Sequence, residues 1–214
     1  LPIAADQARR YAPWVAYEQA QQFFDIRIIG GNVKRISDET DLILLIQPTS
    51  LSPTTLYAID QFVMRGGKAM IFADPHVEVN PPPQQEQGQP YRPPAGHALG
   101  PLLDAWGIEA SPEGIVGDRI AAQRVAALSG GRRVVTEYLP WLTLGPVSIN
   151  RDDVVTRDLE RVNLIAAGQV SVKEGASLTM TPLLFTSEQS TVLDINDVRP
   201  NPNPIQILTD FKAS

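Results

Sequence analysis

The sequence of 214 residues contains no cysteine. Disulfides, thiolate zinc sites, iron–sulfur clusters and cysteine nucleophiles are excluded outright. Histidine is almost as scarce: His76 and His97 are the two present, and both flank a proline-rich stretch. A serine hydrolase would have to take its base from this pair, and the G-x-S-x-G pentapeptide that marks one large hydrolase class is missing. The longest apolar runs are five residues, Leu42 to Ile46 and Ala69 to Ala73, far short of the ~20 needed by a membrane helix. No charged segment followed by an apolar one opens the chain, so no signal peptide is read there. Basic residues are outnumbered, 18 against 24 acidic, for a formal charge of -6. That balance gives no electrostatic reason for contact with nucleic-acid phosphates or anionic lipid. Phosphate loops are missing too, since no G-x-G-x-x-G occurs and Gly66-Gly67-Lys68 lacks the upstream glycine of a Walker motif.

What is present is globular in character. A hydrophobic fraction of 43% beside 20% charged residues is that of a folding chain, and the length suits one large domain or two small ones. The 19 prolines predict long irregular connections. The start at Leu1-Pro2-Ile3, without an initiator methionine, suggests an excised piece of something longer.

Pro13 to Phe24 reads as a helix and Asp25 to Ile29 as a short strand ended by Gly30-Gly31. Leu42 to Ile46 has the uninterrupted apolarity of a parallel strand buried on both faces. Ser52 then offers an N-cap, Pro53 suits the first helical position, and Leu56, Ile59, Phe62 and Val63 share one face before Gly66-Gly67 stop the helix. Lys68 to Ala73 is a second buried strand, completing a strand–helix–strand unit. The loop from Pro75 to Pro94 holds seven of the prolines and predicts a mobile surface segment at the carboxyl end of a parallel strand, where open α/β sheets place ligand crevices. Beyond it, Ala98 to Trp106 reads as a helix, and Ile115 to Val116, Arg133 to Tyr138 and Leu142 to Leu144 as strands. Asp152 and Asp153 are expected to cap a helix carrying Val155, Leu159 and Val162. Ser177 to Phe185 and Thr191 to Ile195 read as short strands before an Asn-Pro repeat at 201–204.

Asp74, His76 and Glu78 alternate directly after a strand and could together collect a metal, although a turn with solvated neighbours is the simpler reading. Asp194, Asn196 and Asp197 faintly resemble a calcium loop but lack its glycine and terminal glutamate, which favours a surface turn. Asp60 reads as an exposed carboxylate, and Trp106 and Trp141 as core anchors.

The run from Asp41 to Pro48, then Leu51-Ser52-Pro53, then Leu56-Tyr57-Ala58-Ile59-Asp60-Gln61-Phe62-Val63-Met64-Arg65-Gly66-Gly67-Lys68 through Asp74-Pro75, resembles the extracytoplasmic domain of the gliding-motility-type auxiliary component of ABC transporters. Leu102 to Gly107, Val116-Gly117-Asp118, Asp152-Asp153 and Pro182 to Ser187 continue the likeness over most of the chain. The resemblance implies a periplasmic domain of a bacterial inner-membrane protein, anchored by helices outside this chain beside an ABC permease and its ATPase. It also implies a fold similar to class I glutamine amidotransferases. In those enzymes a nucleophilic cysteine sits at the turn that here reads Ala73-Asp74-Pro75, so the resemblance carries over no catalytic residue.

The fold expected is α/β, a mostly parallel sheet flanked by helices (flavodoxin-like or amidotransferase-like), with extra short strands toward the C-terminus. Residues 1–150 should form the core domain with the proline-rich loop 75–94, and 151–214 a helix and short strands packed on the same, truncated, domain. The function expected is non-enzymatic interaction or ligand sensing in an ABC transport system, with an enzyme acting on a glycan or peptide as the alternative. Candidate ligand-binding residues are Gln47, Ser50, Asp74 and His76, at strand carboxyl ends. No cofactor, catalytic residue, metal or nucleic-acid partner is expected; a small ligand or glycan is left open.

Overall fold

The computed structural model describes residues 15–77, 96–198 and 202–214. The chain divides into two compact units, Leu1–Ile71 and Phe72–Ser214. Most of the proline-rich loop and Glu78 lie outside the described residues, as do Leu1-Pro2-Ile3 and Asn201.

The first unit contains helix α1 (Val15–Gln21), strand β1 (Leu42–Ile46), helix α2 (Pro53–Met64) and strand β2 (Lys68–Phe72). Helix α2 starts and stops where its sequence signals lie. The Ser52 side chain accepts from the Thr55 amide at 3.1 Å, and Pro53 takes the first turn. At the other end the Gly66 amide donates to the Val63 carbonyl and the Gly67 amide to the Phe62 carbonyl, at 2.9 and 3.0 Å. With Gly66 at φ +92°, this is the double closure that satisfies orphan carbonyls at a helix end. Thr55, Ala58, Ile59 and Phe62 of α2 are buried, as are Ile43 of β1 and Ile36.

Strands β1 and β2 form a parallel pair, as the sequence predicts, but the sheet stops at two strands. Cover on both faces does not follow. Ile43 faces the core, whereas Leu42, Leu44, Ile46, Met70 and Phe72 are 41–50% exposed. A single crossover helix can cover one face only, and among the described residues the side chains of the other face remain half exposed. The strand expected at Asp25 to Ile29 does not form either. No strand lies beside it among the described residues to take its backbone hydrogen bonds, and Ile28 and Ile29 are exposed.

The second unit corrects the expectation of a mostly parallel sheet. Its elements are helix α3 (Gly100–Ala105), β3 (Ile108–Ala110), β4 (Gly114–Asp118), β5 (Ala122–Ser129), β6 (Arg132–Leu144), β7 (Val162–Ile165), β8 (Val170–Val172), β9 (Ser190–Asp194), and helices α4 (Ile195–Val198) and α5 (Pro204–Asp210). All its strand pairs are antiparallel: β3 with β8, β4 with β9, and β5 with β6 and β6 with β7. The chain is therefore mixed α/β with several small sheets, and parallel only at β1–β2. The continuous apolarity of two strands was a local property. Elsewhere tight turns link neighbours, as at Gly130-Gly131, where φ of +54° and +78° is the two-residue arrangement that matches hairpin twist.

Pro140 sits buried inside β6, where it lacks an amide for the ladder. The strand bulges there: Ala122 faces Leu142 while Gln123 already faces Tyr138, and the Pro140 carbonyl accepts from the Ala166 amide at 2.9 Å. A bulge is where a strand tolerates proline. The core gathers Ile115, Tyr138, Leu139, Ala166, Ile195, Val198 and Ile207, and Trp141 packs against it, edge-on to Tyr138.

Two further expectations fail for local reasons. Residues 151–158 form turns rather than a helix, because Asn150 and Asp153 accept from the Asp152 and Val155 amides at 2.9 and 2.8 Å. Such side-chain bonds compete with helix formation, and Val162 joins β7 instead. Between Ser177 and Phe185 only Leu184 pairs, with Ile149. Pro182 removes a donor in that stretch.

Gly67 generates a prediction. A Cβ there would lie 2.4 Å from the Phe62 ring, whereas one at Gly30 would meet nothing within 4 Å. Gly67→Ala should destabilise by about 1–3 kcal/mol through overpacking, and Gly30→Ala should stay near the parent. Urea unfolding of both variants checks this.

Candidate functional site

The four candidate residues form two pairs in different units. Gln47 and Ser50 belong to the connection from β1 to α2. Asp74 and His76 belong to the turn after β2. Each pair has its own surroundings.

Gln47 closes β1 in the left-handed region at φ +42°, a conformation that costs a non-glycine residue about 1–3 kcal/mol and marks a chain held by its context. Ser50 is exposed, and its carbonyl would lie 3.4 Å from a Cβ at Gly31. The start of α2 could in principle attract an anion, but polar groups of the same unit fill it. Thr55 Oγ1 donates to the Gly31 carbonyl at 2.8 Å and accepts from the Val33 amide at 2.8 Å. Ser52 Oγ donates to Asn32 Oδ1 at 3.3 Å. This network binds the 31–33 loop to the helix rather than a ligand.

The Asp74–Pro75 turn is held by backbone contact. Pro75 is fully buried, and a Cβ on Gly96 would lie 2.5 Å from the carbonyl oxygens of both Asp74 and Pro75. On the other side a Cβ on Gly168 would approach Pro75 Cδ at 3.1 Å. Only glycine permits this approach from two directions. Burial raises the Asp74 carboxyl above its ordinary value. Burial lowers the His97 imidazole, and His97 Nδ1 accepts from the Leu99 amide at 3.2 Å, which assigns any neutral-ring proton to Nε2. His76 is half-buried.

Sequence reading singled out Asp74 and His76, considered His97 only as a hydrolase base, and passed over Gly96 and Gly168. Gly96-His97 directly ends the proline-rich stretch and was open to notice; Gly168 carries no pattern that reveals its contact. Of the proposed metal trio, Glu78 lies outside the described residues, and among the described residues no three ligating side chains converge. Asp194, Asn196 and Asp197 do not form the surface turn expected: Asp194 ends β9, Asn196 and Asp197 lie in α4, and Asp194 Oδ1 accepts from the Asn196 amide at 2.7 Å. The concave regions of the second unit are lined by other residues. One, of about 340 Å³, is bordered by Asp194, Asp197, Gln206, Asp210 and Phe211, and Gln206 donates to Asp210 one turn along α5 at 2.7 Å.

The polar group built most completely into the fold is Asp118, which is fully buried at the end of β4. Its Oδ1 accepts from the Ile120 and Ala121 amides at 2.8 and 3.1 Å and from Ser187 Oγ at 2.8 Å; its Oδ2 accepts from the Ser187 amide at 2.6 Å. Two stretches that carried the family resemblance, 116–118 and 182–187, thus meet at one carboxyl group.

The profile of the family described as an ABC-type uncharacterized transport system matches residues 4–214. The chain belongs to this family of ABC transport auxiliary proteins. No curated protein and no solved structure matches it. The family associates the chain with an ABC transport system as an auxiliary component. It assigns no reaction to the Asp74 turn.

The two shifted groups predict opposite pH effects. Because Asp74 is raised on folding, its contribution is intact below about pH 3.9, the unfolded value, and is lost as pH rises through the folded value; Asp74→Asn should stabilise at pH 7 and give no gain at the acid end. Because His97 is lowered, its contribution is intact above about pH 6.5 and falls away as pH drops through the folded value; His97→Gln should flatten that acid-side loss. Thermal melts across the range check both signs.

Proposed function

We propose that this chain is a non-enzymatic interaction domain of an ABC transport auxiliary subunit, acting on the periplasmic side of the membrane, with the gliding-motility-type components as its nearest functional analogy. The observation that carries this reading is the uncovered apolar face of β1–β2. Parallel strands are found covered on both sides, and a contiguous apolar patch left on a surface marks a site of protein contact. The partner is a protein component of the same transport system, with a complementary apolar surface.

The non-enzymatic part rests on chemistry. The turn that carries a nucleophile in the amidotransferase-like fold holds Asp74-Pro75, proline supplies no amide for an oxyanion site, and glycine contacts fix the backbone. A fold reused without its catalysis is consistent with this. Ligand sensing through the Asp74 and His76 turn is compatible with the same reading.

An enzyme acting on a glycan or peptide is the second reading, favoured by the raised Asp74 carboxyl, since perturbed groups cluster at functional sites. Hydrolysis of peptidoglycan or peptides by the purified chain, abolished in Asp74→Asn, would establish it.

The interaction reading is tested by co-purifying the auxiliary subunit with its permease from membranes, as parent and as Leu44→Lys and Met70→Lys. Each substitution should weaken capture by at least about tenfold, the effect of losing a central contact, with little change in melting temperature. Undiminished capture would overturn the reading. So would a large loss of stability, which would mean that the chain itself covers this face.

A further inference from the structure

The negative net charge conceals a segment of opposite sign. Residues 119–136, which form the β5–β6 hairpin and its lead-in, contain Arg119, Arg124, Arg132 and Arg133, and all 24 acidic residues lie elsewhere. Strand register fixes how these side chains are arranged. Arg124 faces Glu137, Ala126 faces Val135 and Leu128 faces Arg133, so these six share one face of the hairpin; Arg132 faces Ser129 beside the turn and belongs to the opposite face. That face points outward: Leu128 is 73% and Val135 61% exposed, and Ile120 nearby is 67% exposed. The opposite face carries Val125, which packs on the core. Glu137 is the acidic residue on the outward face, and Arg119 approaches it at 3.9 Å. Among the described residues Arg124, Arg132 and Arg133 make no ion pair.

Strand β5 is an edge strand, and charges on an edge discourage pairing with other chains. Edge protection does not account for a stretch without acidic residues, nor for aliphatic side chains placed between the arginines on the broad face.

We propose that the β5–β6 hairpin is a membrane-docking element that lays this face on a bilayer rich in anionic phospholipid. Guanidinium groups bind phosphate through paired hydrogen bonds, and their stems lie along apolar surface while the heads stay at the headgroup level. Leu128 and Val135 then rest at the acyl boundary. An acidic protein patch fits less well, because protein hot spots favour Trp and Tyr beside Arg and the exposed apolar groups here are aliphatic. The family belongs to a membrane transport system, so a bilayer is the surface at hand. This proposal involves the second unit alone and is independent of the docking assigned to β1–β2.

The test is flotation of the purified chain with vesicles of phosphatidylcholine alone and with equimolar phosphatidylglycerol, at low and high salt. Binding is expected only to the anionic vesicles and should fall with salt. Each arginine removed should lower partitioning by about fivefold, so Arg124→Glu with Arg133→Glu should abolish recovery, and Leu128→Ser with Val135→Ser should reduce it. Thermal melts verify folding, and Arg124→Gln with Arg133→Gln replaces the reversal if that variant fails to fold. Equal binding to both vesicles, retention in the arginine variants, or no binding at low salt overturns the proposal. Capture by polyglutamate without binding to anionic vesicles also overturns it and reassigns the hairpin to an acidic protein.

Discussion

The Asp118 carboxyl group organises the second unit. It is fully buried, and its donors come from the turn after its own strand and from Ser187, 69 residues away in sequence. Every residue of β4 is buried, and β9 pairs with it from Gly114 to Asp118. The carboxyl group therefore fixes where β4 ends and where the chain returns to meet it. An orphaned buried donor costs roughly 1–3 kcal/mol, so a substitution here would expose several such costs together. Two stretches that carried the resemblance in the sequence, 116–118 and 182–187, are the two sides of this structural clasp.

The first unit is governed by a different constraint. A strand pair with apolar side chains on both faces requires two covers, and α2 supplies one. Ile43 of β1 and Ala58, Ile59 and Phe62 of α2 are the buried apolar residues of these elements. The residues on the other side are of the same chemical type and remain half exposed. That asymmetry is the feature on which the proposed docking role rests. The Asp74–Pro75 turn, by contrast, is braced by Gly96 and Gly168 and is shaped by packing.

Legibility in the sequence followed the range of the interactions. Helix α2 was readable to its ends because Ser52, Pro53, Gly66 and Gly67 act within a few residues of where they stand. Strands β1, β2, β4, β6 and β9 were visible in whole or part as apolar or alternating runs. The antiparallel order was not, since pairing partners such as β3 and β8 or β4 and β9 lie far apart along the chain. Strand β5 and the Gly130-Gly131 turn were missed although a two-glycine turn between strands is a hairpin signal. The turn at 151–158 was misread as helix because Asn150 and Asp153 can bond locally as well as cap. At the candidate site, Asp74 and His76 were identified by chemistry, whereas Gly96 and Gly168 matter only through contacts that no spacing encodes. The arginine hairpin was hidden by averaging charge over the whole chain.

Docking through the β1–β2 face requires that Met70 be open in the free chain and covered in the assembled transporter. Hydroxyl-radical footprinting reads this directly, because methionine oxidises readily and Met64, 72% exposed on α2, serves as a reference within the same unit. The account predicts oxidation of both methionines in the isolated chain and selective protection of Met70 on assembly. Equal oxidation of Met70 in the free and assembled states, or protection of Met70 already in the free chain, would contradict it.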